Sequence, residues 1–162
     1  MVSEPVNKLD VLKSNITFPE VCLRLASEVS QRSKDPSTKV GAVIWDPRDK
    51  RVLSVGYNGF PECLPDIREV WENRTDDTKV MKYDLVIHAE MNAILNARCD
   101  LRGKHIFTTH MPCPQCAKHI ASCGITAVIW PKGVTAKSQS NRDTEICEYI
   151  FRASNIVTRD NT

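Results

Sequence analysis

Apolar and polar positions fall into short blocks along this chain, and the blocks predict helices and strands in alternation. Val21, Leu25 and Val29 recur at helical spacing behind Thr17, Pro19 and Glu20. That pattern predicts a helix N-capped by Thr17, with Glu20 placed for a capping box, stopping before Pro36. Residues 40–45 are short, apolar and rich in β-branched side chains, as in a buried strand. Asp46-Pro47-Arg48-Asp49 is turn chemistry, residues 52–57 read as the returning strand of a hairpin, and Asn58-Gly59 ends it. Residues 60–84 form a long polar stretch without a clear element, and a connection of that length in a compact domain is usually functional. Beyond it the pattern predicts a helix over 87–97 and a strand over 106–109. A helix over 115–122 follows, opened by Pro114 and closed by Gly124. A strand over 125–130, a helix over 142–153 and a short last strand over 156–158 complete the series. Helices separating apolar strands imply an α/β sheet covered on both faces.

Length and composition narrow the class. The 162 residues fit one domain, taken here as 17–162 behind a polar N-terminal arm over 1–16. With 41% hydrophobic and 26% charged residues the chain can bury a useful core, and disorder is disfavoured. A net charge of +2 argues against nucleic-acid binding driven by charge alone. No apolar run approaches the roughly 18 residues a membrane span needs, and the first 19 residues show no secretory pattern. A cytoplasmic, reducing setting is therefore expected. It agrees with an odd count of seven cysteines, which suits a disulfide framework poorly. Cys113 and Cys116 form a close pair that suggests metal or redox chemistry, and most of the other five are expected to be small buried apolar residues.

The chemistry concentrates in His88-Ala89-Glu90 and Pro112-Cys113-Pro114-Gln115-Cys116. One imidazole and two thiolates give a tetrahedral Zn²⁺ three ligands and leave the fourth position for water, as a catalytic site requires. Pro114 fixes a helix start there, and the positive end of a helix favours thiolates. Zinc lowers the pKa of such a water toward about 7. Glu90, two residues from His88, is free of ligand duty and suited to carry a proton from that water to a ring nitrogen and then to a leaving amine. A structural zinc would need a fourth ligand and usually a second C-x-x-C, and a redox pair would not need His88 and Glu90. The H-x-E with P-C-x-x-C arrangement is the signature of zinc nucleobase deaminases.

Over roughly residues 18–130 the chain resembles the deoxycytidylate (dCMP) deaminases of the cytidine deaminase superfamily. Four segments carry the resemblance: Ser33-Lys34-Asp35-Pro36-Ser37-Thr38-Lys39-Val40-Gly41-Ala42-Val43-Ile44, Gly56-Tyr57-Asn58-Gly59-Phe60-Pro61, His88-Ala89-Glu90-Met91-Asn92-Ala93-Ile94 and Pro112-Cys113-Pro114-Gln115-Cys116. The last two define the superfamily. The first two, with the long insert before His88, point to members acting on nucleotides. The resemblance implies a three-layer α/β/α domain with a mixed sheet of about five strands. It assigns His88, Cys113 and Cys116 to one Zn²⁺ per subunit and Glu90 to proton transfer. It further implies that Asn58 holds a sugar hydroxyl, the Gly41-Ala42 backbone flanks the base and the Ala89 amide reads its carbonyl oxygen. Lys39 is the first candidate for the phosphate. A homo-oligomer, hexamer or smaller, is expected.

Three departures from the family pattern bear on these expectations. Many relatives respond to dCTP and dTTP with Mg²⁺, but the loop Phe60-Pro61-Glu62-Cys63-Leu64-Pro65 lacks a glycine they carry there. That counts against such regulation. Cysteines that hold a second, structural zinc in some viral relatives are missing near Asp35-Pro36, although Cys63 and His110 are available as unexpected ligands. The tail after Pro131 matches poorly. The implied reaction is hydrolytic deamination of dCMP to dUMP and ammonia, supplying thymidylate synthesis, with no membrane or nucleic-acid partner. Deamination of dCTP, alone or alongside dCMP, stays open. A tRNA or polynucleotide deaminase would need a basic face, and a non-catalytic zinc module would have no use for Glu90.

Overall fold

Five strands make one mixed sheet in the order β2-β1-β3-β4-β5, formed by β1 (Gly41–Asp46), β2 (Arg51–Tyr57), β3 (His105–Thr108), β4 (Ala127–Pro131) and β5 (Val157–Asn161). The structure is a computed structural model that describes residues 14–135 and 139–161. Of the expected N-terminal arm, residues 1–13 lie outside the described part. β1 runs antiparallel to β2 and β3, and β3, β4 and β5 are parallel. Helix α1 (Phe18–Ser30) covers one face. On the other lie α4 (Ala89–Ala97), α5 (Pro114–Ser122) and α6 (Asn141–Ala153), giving the three-layer α/β/α arrangement.

Strand alternation divides the core in two. Ala42 and Ile44 face Ala89, Ala93, Ile120 and Phe151, whereas Val43 and Trp45 face Cys22 and Ala26 of α1. Two glycines set the spacing of the layers. A Cβ on Gly41 would run into the Ala26 carbonyl of α1, and one on Gly56 would meet the Ala89 carbonyl and the Ala93 amide of α4. Gly56 therefore lets the start of α4 lie directly on the sheet.

The capping box forms at Thr17, with Glu20 reaching back to the Thr17 N–H at 2.6 Å. α1 stops at Ser30, earlier than Pro36 demands, because the chain turns Ser33 and Asp35 into the interior. α4 begins at Ala89 rather than 87. Ile87 and Gly59 exchange backbone bonds of 2.8 and 3.1 Å, which keeps Ile87 extended. The polar stretch holds two short helices, α2 (Arg68–Glu72) and α3 (Lys82–Leu85). Its anchor is Trp71, 3% exposed, stacked on Phe60 at 4.0 Å and bonded through Nε1 to Asp66. Among the five scattered cysteines only Cys22 and Cys147 are buried. Cys123 is half-buried and Cys63 and Cys99 are exposed, so the expectation of mostly buried thiols fails. No helix among the described residues is long and apolar enough to cross a membrane.

Candidate active site

Two helix starts converge beside the C-terminal end of β3 and the N-terminal end of its antiparallel neighbour β1. His88 is the extended N-cap residue of α4, and Cys113 is the N-cap residue of α5. Neither side chain caps its own helix, so both are free to turn toward a common point. Cys116 sits in the first turn of α5, opened by Pro114. The Nδ1 of His88 lies 3.5 Å from each of the two sulfur atoms, and the three donor atoms all lie within 4.8 Å of one another. A tetrahedral zinc, about 2.3 Å from sulfur and 2.05 Å from nitrogen, sets sulfur and nitrogen about 3.6 Å apart, so the spacing fits this ion. Among the described residues this is the group of side chains able to hold a metal.

Protons are shared unevenly across this cluster. Its bond with Cys116, together with His88, pushes the Cys113 thiol down to about 4. The Cys113 partner and burial push Cys116 up, and the Cys113 sulfur also raises His88. Of the two thiols, Cys113 is the readier to give up its proton. Glu90, in the first turn of α4, is 4% exposed, and burial raises its pKa while His88 opposes the rise. A carboxylate so placed holds a proton more tightly than an exposed one and can release it again, which suits a proton carrier.

His88, Glu90 and Cys113 border a cavity of about 640 Å³. That volume lies within the usual range for small-molecule sites. Of the expected substrate-binding residues, Asn58 and Ala89 line it. Ala89 is fully buried at the first position of α4, where backbone N–H groups have no partner within the helix. Asn58 accepts from the Val40 N–H at 2.8 Å and donates to the Thr38 carbonyl at 2.9 Å and to Asp35 at 3.1 Å.

Gly41, Ala42 and Lys39 are not brought to the cavity. The Gly41 N–H and carbonyl are both bonded to Thr109, Ala42 is buried in the core, and Val40 is the neighbour that lines the space. Lys39 is exposed and points its Nζ toward the Gln31 carbonyl at 3.4 Å. The cations that do line the cavity are Arg74 and Lys82 from the polar insert and Lys118 from α5. Lys82 is buried against Asp35 at 2.5 Å, and Arg74 is bonded to the Ser37 hydroxyl. No spacing rule marks these residues. The signal that was available is the length of the insert, which had to have some use.

Comparison with known proteins agrees with this geometry. Residues 16–132 match the model of the cytidine and deoxycytidylate deaminase zinc-binding region. A deoxycytidylate deaminase of Mus musculus is 33% identical over 89% of this chain and 79% of its own length. A deaminase encoded near luxG in Aliivibrio fischeri, itself described as uncharacterized, is 44% identical over 67% of this chain and 69% of its own. Among solved structures, the dCMP deaminase of cyanophage S-TIM5 in complex with dCMP and dUMP superposes with a TM-score of 0.65. It is 25% identical, with 86% of this chain and 93% of that one covered. By these matches the chain belongs to the cytidine and deoxycytidylate deaminase family and is a hydrolytic deaminase.

Proposed function

We propose that the protein hydrolyses the amino group of dCMP, giving dUMP and ammonia. The observation that carries this reading is the placement of buried Glu90 beside the three metal donors, in a cavity also lined by Arg74 and Lys118. A zinc ion held by His88, Cys113 and Cys116 would supply water activation at neutral pH. Glu90 takes a proton from the attacking water and passes it to N3 of the cytosine ring as the water oxygen bonds to C4. The same carboxylate then moves the remaining hydroxyl proton to the exocyclic amine, and the C4–N bond breaks with release of ammonia. In this reading the Ala89 N–H at the start of α4 donates to the carbonyl oxygen of the base, and Asn58 holds the sugar hydroxyl. For the phosphate, Arg74 and Lys118 replace Lys39, since they border the cavity and Lys39 does not.

The test is a chromatographic product assay on zinc-replete protein offered dCMP, dCTP, deoxycytidine and CMP separately at matched concentration. Conversion of dCMP well ahead of the others is expected. Equal or faster turnover of dCTP would transfer the reading to the triphosphate. No product from any of the four would overturn it.

A further inference from the structure

The Asn58 side chain is almost fully committed before any ligand arrives. A carboxamide has two N–H donors and two lone pairs on oxygen. Both donors are spent, on the Thr38 carbonyl and on Asp35 Oδ2, and one lone pair receives the Val40 N–H. What remains for a ligand is an acceptor. Asp35 takes the second N–H and so reinforces the orientation that the Thr38 carbonyl and the Val40 N–H also favour. Asp35, 1% exposed, takes the Ser37 N–H and hydroxyl and the Thr38 N–H on Oδ1, and Asn58 and the Lys82 ammonium on Oδ2. Burial works to raise the Asp35 pKa, but Lys82 and the Ser37 donors outweigh it and hold the group below the usual carboxylate value.

Lys82 comes from the insert, far along the chain from Asp35. Its side chain is 7% exposed, and its Nζ lies 6.0 Å from the Trp71 ring centre and 5.5 Å from that of Tyr83. Without this ammonium, Asp35 would be a buried carboxylate lacking a counter-charge, and such a group takes up a proton. A protonated Asp35 has one donor and fewer acceptor sites, so the Asn58 amide loses one of the three partners that fix which way it faces.

We propose that Lys82 is a positioning residue for the sugar, acting through Asp35 to hold the Asn58 amide as an acceptor for the 3′-hydroxyl. The proposal rests on the dCMP reading above, because the 3′-hydroxyl is the one free hydroxyl on the sugar of dCMP. It also gives the long insert a role in the site: the insert supplies the charge that orients a residue at the end of β2.

The experiment compares dCMP with its 2′,3′-dideoxy analogue, which lacks only that hydroxyl, in wild type, Lys82→Met, Lys82→Arg and Asn58→Ala proteins. Wild type is assayed first, and absence of dCMP turnover there would sink the dCMP reading itself. Given turnover, wild type should prefer dCMP. Lys82→Met should shrink the preference by about tenfold, mainly through KM for dCMP, as expected for one lost hydrogen bond. Lys82→Arg should restore much of it, and Lys82→Met should add nothing in an Asn58→Ala background.

Three kinetic results would overturn the proposal, as would one folding result. One is an unchanged preference in Lys82→Met, or none in wild type. Another is an equal loss on both substrates. The third is a loss of selectivity for dCMP over deoxycytidine with 3′-hydroxyl selectivity intact, which would make Lys82 a phosphate contact. Should Lys82→Met fail to fold, Asp35→Asn carries the same expectation through a neutral isostere. Failure of both to give a melting transition would mean the pair serves the fold alone, and would also overturn it.

Discussion

In the proposed reaction Glu90 accepts and delivers a proton more than once in each turnover, and its burial beside His88 suits it to both. Glu90→Gln should therefore keep its zinc, measured by atomic absorption, while turnover of dCMP falls by about 10²–10⁴-fold. An active Glu90→Gln protein would refute the mechanism. The phosphate assignment is tested one residue at a time. Arg74→Gln should raise KM for dCMP by about tenfold or more, the scale of a lost charge-assisted hydrogen bond. Lys39→Gln should leave KM within about twofold, because Lys39 reaches toward α1 and away from the cavity. The reverse pattern in steady-state kinetics would restore Lys39. Residue chemistry of the metal donors and Glu90 was legible in the chain, because each lies within a few positions of a helix start and the types are rare in that combination. Arg74, Lys82 and Asp35 were not legible as a set. They meet only where the insert folds back on the loop over residues 33–38.

At the scale of elements, the site depends on how closely α4 lies on β2. Gly56 faces the backbone of Ala89 and Ala93, so any side chain there must push the start of α4 outward. Gly56→Ala should lower both thermal stability and zinc affinity, since the shift moves His88 away from the two cysteines. Thermal melting together with zinc titration checks this, and a variant that melts early but binds zinc normally would show that the helix start does not move. Most elements were legible from periodicity and end signals. The capping box at Thr17 and Pro114 at the start of α5 stand where the pattern put them. The start of α4 was not, because the Ile87 pairing with Gly59 is a contact between segments that local spacing does not report. The insert was read only as long and polar. Its two short helices are held by Trp71 on Phe60 and by ion pairs such as Lys34–Asp66, and not by an amphipathic repeat of their own.

For the whole molecule, the Lys82–Asp35 pair ties the insert to the domain and so links acid stability to the site. The folded-state pKa of Asp35 is depressed, so its contribution to stability is present above the unfolded value of about 3.9 and is lost as pH falls through the folded value. Lys82→Met removes a cause of that depression, and its acid unfolding by circular dichroism should begin at higher pH than in wild type. Coincident curves would show that the pair carries no such linkage. The sequence by itself determined the α/β class and the His88, Cys113 and Cys116 group, with Glu90 beside it, because helix caps, strand alternation and ligand chemistry are written in residues close together along the chain. Only the tertiary structure decided which cations border the cavity, which way Asn58 faces and where the insert packs. Those depend on side chains brought together from distant segments, where packing and charge pairing choose among orientations that the local sequence leaves equal.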